Sequence, residues 1–213
     1  MVTTREAYNQ MAELSYEHRQ RAGQSGYVLL VLRAAEFAAT KHQGQRRKGN
    51  TKRPYIGHCL EVARMIAEVA KSDDPTILSA AILHDVLEDT ETTREELANA
   101  FGERVADFVS QVTDDKSLPK KERKQAQVDH AAHLSPGAKL IKLADKISNV
   151  REIGNDPPGD WSTKRRRKYL KWAKKVVEAL GDVNPDLQRV FEETVANGES
   201  RLDAENNPAA QDA

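Results

Sequence analysis

The sequence predicts an all-α helical bundle. Apolar residues recur at helical spacing in one segment after another, and no alternating runs make a convincing series of strands. A strongly apolar segment, Ile77 to Ile82, also leads straight into the polar cluster His84-Asp85-Val86-Leu87-Glu88-Asp89. The 213 residues suit one domain, with or without appendages.

Residues 3–22 read as a polar helix, with Thr3 or Thr4 as cap and Gly23 as stop. Its apolar positions, Ala7, Met11, Leu14 and Tyr16, are few, so residues 1–25 are expected to form an appendage packed over the core. Residues 26–41 carry the apolar run Tyr27 to Leu32, which on its own would suit a strand. The alanine-rich continuation and the lack of a hairpin partner favour one buried helix. From Lys41 to Pro54 there are six Lys or Arg and no acid, and Gly44, Gly49 and Pro54 interrupt any helix. Such a basic loop is either solvated surface or an arm that binds an anion.

An amphipathic helix follows over 57–71, with His58 in its first turn. Asp74-Pro75 is a cap-then-proline start for a helix running to about Leu87, which delivers His84 and Asp85. Thr92 and Thr93 open a short capped helix. Phe101-Gly102 restarts the pattern, with Val105, Phe108, Val109 and Val112 on one face. After a polar connection over 113–120, a charged helix through Glu122–Gln127 stops before Ser135-Pro136-Gly137. Residues 138–150 form a largely buried helix in which Asp145 is the only acid. A loop over 155–160 precedes helices over 163–180 and 185–196. The domain therefore spans 26–197, and residues 198–213, poor in large apolar side chains, read as a disordered tail.

Lys plus Arg and Asp plus Glu both number 33, and this neutrality argues against a general nucleic-acid binder. The basic stretch Lys164 to Lys175 is interleaved with aromatics at helical spacing, which favours ordinary packing over RNA recognition. The single cysteine, Cys59, excludes an intramolecular disulfide and fits a reducing compartment. With neither a signal-peptide run nor a membrane span, a soluble cytoplasmic protein is expected.

The chemistry centres on residues 84–89. In a helix Glu88 lies one turn from His84 and Asp89 one turn from Asp85, so the four share a broad face. An exposed polar face is the plain alternative, weakened because unpaired charge following a buried segment is costly. His58, His84, Asp85 and Asp145 together supply two imidazoles, two carboxylates and no thiolate, a set suited to Mn²⁺, Fe²⁺, Mg²⁺ or Zn²⁺. Asp145 is explained either by a salt bridge to lysine or by a metal. Glu88 and Asp89 are placed to take a proton from an activated water. With the basic stretches nearby, the pattern points to metal-assisted hydrolysis of a phosphate ester.

Five ordered motifs, Phe37-Ala38-Ala39-Thr40-Lys41-His42, Tyr55-Ile56-Gly57-His58, Leu83 to Thr90, Val112-Thr113-Asp114-Asp115-Lys116 and Gly137 to Lys146, resemble the hydrolase domain of the Rel/Spo alarmone enzymes. These are a branch of the HD superfamily, and the likeness over residues 28–195 is nearest to the small stand-alone hydrolases of the metazoan SpoT-homologue type. The resemblance implies an HD-domain helical bundle that holds one Mn²⁺ through His58, His84, Asp85 and Asp145, with Glu88 and Asp89 as the catalytic acidic pair. It places Arg47 and Lys48 near the base and phosphates and Asn149 near the ribose, while Lys120, Trp161, Arg165 and Tyr169 line the nucleotide pocket. The implied substrate is guanosine 3′,5′-bis(diphosphate) or its 5′-triphosphate analogue, cleaved at the 3′ position to release pyrophosphate and GDP or GTP.

An NADPH 2′-phosphatase is the nearest enzymatic alternative, and a nucleotide-sensing module without catalysis the non-enzymatic one. The chain is too short to add the synthetase and regulatory domains of the long enzymes, so a one-way hydrolase is expected. Cys59 stands where relatives carry proline and is expected to be a packed thiol. His42 is either a buttress of the site or a satisfied core histidine. The N-terminal helix and the tail lack counterparts in the small hydrolases and are candidates for self-association as a homo-oligomer.

Overall fold

Several helix starts in this protein carry a side-chain cap. The computed structural model describes residues 25–206. Helix α1 spans 25–41, α2 Ile56–Glu68, α3 Pro75–Leu83, α4 Val86–Asp89 and α5 Arg94–Phe101. Then come α6 Glu103–Val112, α7 Lys120–Ala131, α8 Pro136–Asn155, α9 Thr163–Leu180 and α10 Pro185–Asn206. Asp74 accepts from the Thr76 amide at 2.8 Å and Pro75 fills the first position of α3; Thr93 and Ser162 cap α5 and α9 in the same way. No strand occurs among the described residues beyond an isolated antiparallel bridge from Arg46 to Pro54. The expected all-α bundle is what forms.

The bundle is built around α8, which packs against α2, α3, α6, α9 and α10. Ile141, Leu143, Ala144, Ile147 and Val150 are fully buried along it. Gly137 permits the approach of α6, because a Cβ there would meet the Phe108 ring at 2.7 Å. Ser135-Pro136-Gly137, which reads as a stop, is thus also the start of the central helix.

Three expectations need correction. The helix expected from Pro75 to about Leu87 is interrupted at His84-Asp85, where Asp85 adopts φ −101° and ψ −2° before α4 resumes. Neighbouring side chains on an unbroken helix diverge by about 100°; the break lets these two converge while Leu83 and Val86 stay buried. Helix α1 is only half buried: Ala34 and Ala38 are fully enclosed, but Tyr27, Val28, Leu29 and Leu32 are each more than half exposed. Six consecutive apolar residues wrap around a helix, and one core cannot cover every side.

The third correction concerns the tail. Residues 198–206 continue α10 rather than lying disordered. Leu202 is 1% exposed, and Glu199, Asp203 and Glu205 pair with Lys174, Arg167 and Arg166 of α9. One apolar anchor with flanking ion pairs suffices where composition alone looks polar. Residues 1–24 of the expected appendage over 1–25, and the last residues, 207–213, lie outside the described residues.

Leu202→Ala is expected to destabilise the fold by about 2–5 kcal/mol, lowering the urea midpoint at constant m-value. A wild-type midpoint would show that the end of α10 carries no packing energy.

Candidate active site

Two helices and one helix break bring the ionisable cluster together. His58 comes from the first turn of α2, His84 and Asp85 from the α3–α4 break, and Asp145 from the middle of α8. The donor atoms of His58, His84 and Asp145 all lie within 4.8 Å of one another. His58 Nε2 is 3.3 Å from Asp145 Oδ1 and 3.6 Å from Asp85 Oδ2. His84 Nε2 is 3.0 Å from Asp85 Oδ2 and 3.7 Å from Asp145 Oδ1.

The tautomers follow from the partners. His84 Nδ1 lies 2.8 Å from the Ala81 carbonyl, which can only accept, so Nδ1 carries the proton. Ser148 Oγ donates to Glu61 Oε2 at 2.6 Å, so it accepts from His58 Nδ1 at 2.9 Å. Arg151 holds the other Glu61 oxygen at 2.5 Å. Both Nε2 atoms are therefore left as bare acceptors, buried and without a hydrogen-bond partner among the described residues. Two orphaned imidazole nitrogens aimed at carboxylates are costly in a dry site and fit a divalent cation.

The electrostatics favour positive charge at the same spot, whether a cation or a proton on Nε2. Burial alone would lower the pKa of His84, but the Asp85 and Asp145 carboxylates carry it up to about 10. Burial would raise Asp145, yet Lys146 and the two imidazoles hold it well below the usual carboxylate range. Asp145 divides its work: Oδ2 takes Lys146 Nζ at 3.1 Å, while Oδ1 faces the imidazoles and accepts from Asn149 at 2.5 Å. Of the two readings of Asp145 from sequence, the lysine partner is present on one oxygen, while the other oxygen faces the two imidazoles. Tyr55 donates to Asp85 Oδ2 at 2.6 Å.

Glu88 and Asp89 diverge from there. Glu88 accepts from the Asp114 amide at 3.2 Å, and burial, helped by Asp114 and Asp85, lifts its pKa to about 7. Asp89 pairs with Lys116, and its carbonyl accepts from Gln45 at 2.8 Å. Gln45 in turn bonds His42 Nδ1 at 2.8 Å, so His42 braces the end of α4 from behind. Cys59 is a buried free thiol, pushed up by desolvation, as expected for a packed residue.

Above the cluster opens a cleft of about 850 Å³, lined by His84, Asp85, Glu88, Asp89 and Asp145 and by ten Lys or Arg side chains. Lys48, Lys120, Asn149, Trp161, Arg165 and Tyr169 all reach it. A second cavity of about 410 Å³ shares Lys48, Tyr55, Asp89, Asn149, Trp161 and Tyr169 and adds Arg47. Arg47 is not solvated surface. It is buried, with Nη2 2.5 Å from Glu152 and 2.8 Å from Asn149, and its loop is closed by the Arg46–Pro54 bridge. Asp145, Asn149 and Glu152 thus form one stripe along α8.

Sequence reasoning missed Tyr55, Ser148, Lys124 and Trp172. Tyr55 stood inside a quoted motif, and its position three residues before His58 was the available signal. Ser148 lies a residue before Asn149 on a face read simply as core. Lys124 carried no signal within a charged helix, and the aromatic spacing around Trp172 suggested only ordinary packing.

The HD domain family model matches residues 34–174. A Xenopus tropicalis protein named guanosine-3′,5′-bis(diphosphate) 3′-pyrophosphohydrolase MESH1 is 49% identical over 164 residues, covering 77% of this chain and 92% of its own. The Homo sapiens protein of that name is 48% identical over 161 residues, covering 76% and 90%. A solved structure of a metazoan ortholog of SpoT, described as hydrolysing ppGpp and playing a role in starvation responses, aligns with TM-score 0.76 at 42% identity. It covers 78% of this chain and 94% of that one.

Ser148→Ala is expected to weaken divalent-metal binding by roughly ten- to hundredfold by releasing His58. Titration calorimetry of the chelated protein with Mn²⁺ reads this directly, and wild-type affinity would remove Ser148 from the support of the site.

Proposed function

This chain belongs to the HD domain family, among the small alarmone hydrolases, and on that premise we propose that it removes pyrophosphate from the 3′ position of guanosine 3′,5′-bis(diphosphate) and of its 5′-triphosphate analogue. The products are GDP and GTP. The observation that carries this reading is the pair of buried, unpartnered imidazole nitrogens facing Asp145 at the floor of a cation-rich cleft.

His58, His84 and Asp145 would hold one divalent cation, Mn²⁺ in our reading, with Asp85 as fourth ligand. Such a cation supplies Lewis-acid polarisation of a phosphoryl oxygen and activation of water. Glu88, with a pKa near neutrality, is matched to accept the proton of the attacking water. Asp89, held by Lys116, would act beside Glu88 as its acidic partner. Lys48, Lys120 and Arg165 neutralise the phosphates, while Asn149 lies beside the ribose. Arg47, tied down by Glu152, shapes the wall against which the base rests, with Trp161 and Tyr169 opposite. No helix among the described residues is long and apolar enough to cross a membrane, which supports a cytoplasmic placement.

The test is pyrophosphate release from the guanosine alarmone by purified protein, after chelation and after Mn²⁺ restoration. Activity should vanish and return, and Asp145→Asn should lose both bound metal and turnover while keeping its melting cooperativity. NADPH is assayed alongside. Phosphate release from NADPH with no pyrophosphate from the alarmone would replace the substrate named here.

The Glu88 role gives a pH signature. A base must be ionised to act, so kcat should fall as pH drops through about 7. Glu88→Gln should lower kcat by about 10²–10⁴-fold and abolish that acid limb. A variant that retains the limb would assign it to another group.

A further inference from the structure

Many of the cations around the cleft are already paired. Lys116 holds Asp89, Arg165 holds Asp160, Lys146 holds Asp145, and Lys142 donates to the Val112 carbonyl at 2.7 Å. Lys124 has no acid and no hydrogen-bond acceptor for its Nζ among the described residues, although it is partly buried and lines the cleft. Its ammonium is held by aromatic faces instead, 4.2 Å from the centroid of Trp172 and 5.2 Å from that of Tyr169.

Trp172 is itself fixed from three directions. Its Nε1 donates to the Lys124 carbonyl at 3.0 Å, pinning α9 to α7. Tyr169 packs edge-on at 5.3 Å. Lys146 Nζ also lies over the ring, 4.8 Å from its centroid. One indole therefore sits against two ammonium groups with different duties. Lys146 is spent on Asp145, and Lys124 is left facing the cleft. Lys120, Lys146 and Arg165 crowd Lys124 from around the cleft, and burial together with these like charges lowers its pKa to about 8. An unpaired cation held among other cations is stabilised by an incoming anion of high charge.

Resting on the activity proposed above, we propose that Lys124 binds the uncleaved 5′ phosphates of the substrate and that the Trp172 ring is the positioning residue that holds its ammonium toward them. Lys124 is then a determinant of specificity for nucleotides bearing a 5′ polyphosphate. Trp172 acts only through it, by fixing where the charge stands.

The experiment compares wild type with Lys124→Gln, Trp172→Leu and Trp172→Phe, all with Mn²⁺ present. Calorimetry measures GDP, which carries a 5′-diphosphate, against guanosine 3′-monophosphate, which carries none. Lys124→Gln and Trp172→Leu should weaken GDP by roughly tenfold or more, the loss of one charged contact, and change the 3′-monophosphate far less. For the alarmone, KM should rise much more than kcat falls. Trp172→Phe keeps a ring face and should recover most of the GDP affinity.

Equal losses for both mononucleotides, or none for GDP, would overturn the assignment of Lys124. Phe and Leu behaving alike at 172 would overturn the role of the ring. Lys124-dependent GDP binding in a protein that releases no pyrophosphate would support this inference while overturning the activity it started from.

Discussion

Two imidazoles and two carboxylates must leave water together, and the rest of the structure is arranged to make that tolerable. Burying any one of them alone is strongly unfavourable, and removing one partner from such a set strands the others. Each is therefore gripped from behind: His84 by a backbone carbonyl, His58 by Ser148 and Glu61, Asp145 by Lys146 and Asn149, and Asp85 by Tyr55. The gripping atoms come from α2, α3, α8 and the loop before α2, so the packing of these elements and the geometry of the site are one problem. This also accounts for the helix break at His84-Asp85. Continuous helix would satisfy more backbone bonds but would send adjacent ligands apart.

Much of this was legible in the residues. The apolar period marked the helices, and cap signals at Asp74-Pro75 and Thr93 located starts to within a residue or so. The convergence of His58, His84, Asp85 and Asp145 was readable because charged side chains in apolar segments need a reason. What stayed hidden depends on partners distant in sequence. The burial of Arg47 needs Glu152, 105 residues later, and nothing in a glycine-broken basic loop announces it. The fate of residues 198–206 rests on Leu202 finding a buried seat and on cations of α9 that sequence reading had assigned to solvent.

Charge is segregated rather than absent. The whole chain balances 33 basic against 33 acidic residues, yet the cleft walls carry ten Lys or Arg against five acids. Some of these cations are already matched to acids, as Lys146 is to Asp145 and Lys116 to Asp89, but the cleft keeps a positive excess. A polyanion entering from solvent meets attraction at the rim, and its reacting end arrives where carboxylates can manage protons and a cation. Overall neutrality therefore excluded general polyanion binding without excluding a strongly directed local field.

Asp145, Asn149 and Glu152 succeed one another on a single face of α8. From the first to the last the helix climbs about 10 Å, at 1.5 Å per residue. On the function proposed above, the first stands at the reacting end of the cleft and the last, through Arg47, at the end where a base would rest. A rigid rod thus serves as a gauge between the two. Molecules whose base and scissile phosphate are spaced differently would be turned away by length alone, with no moving part required.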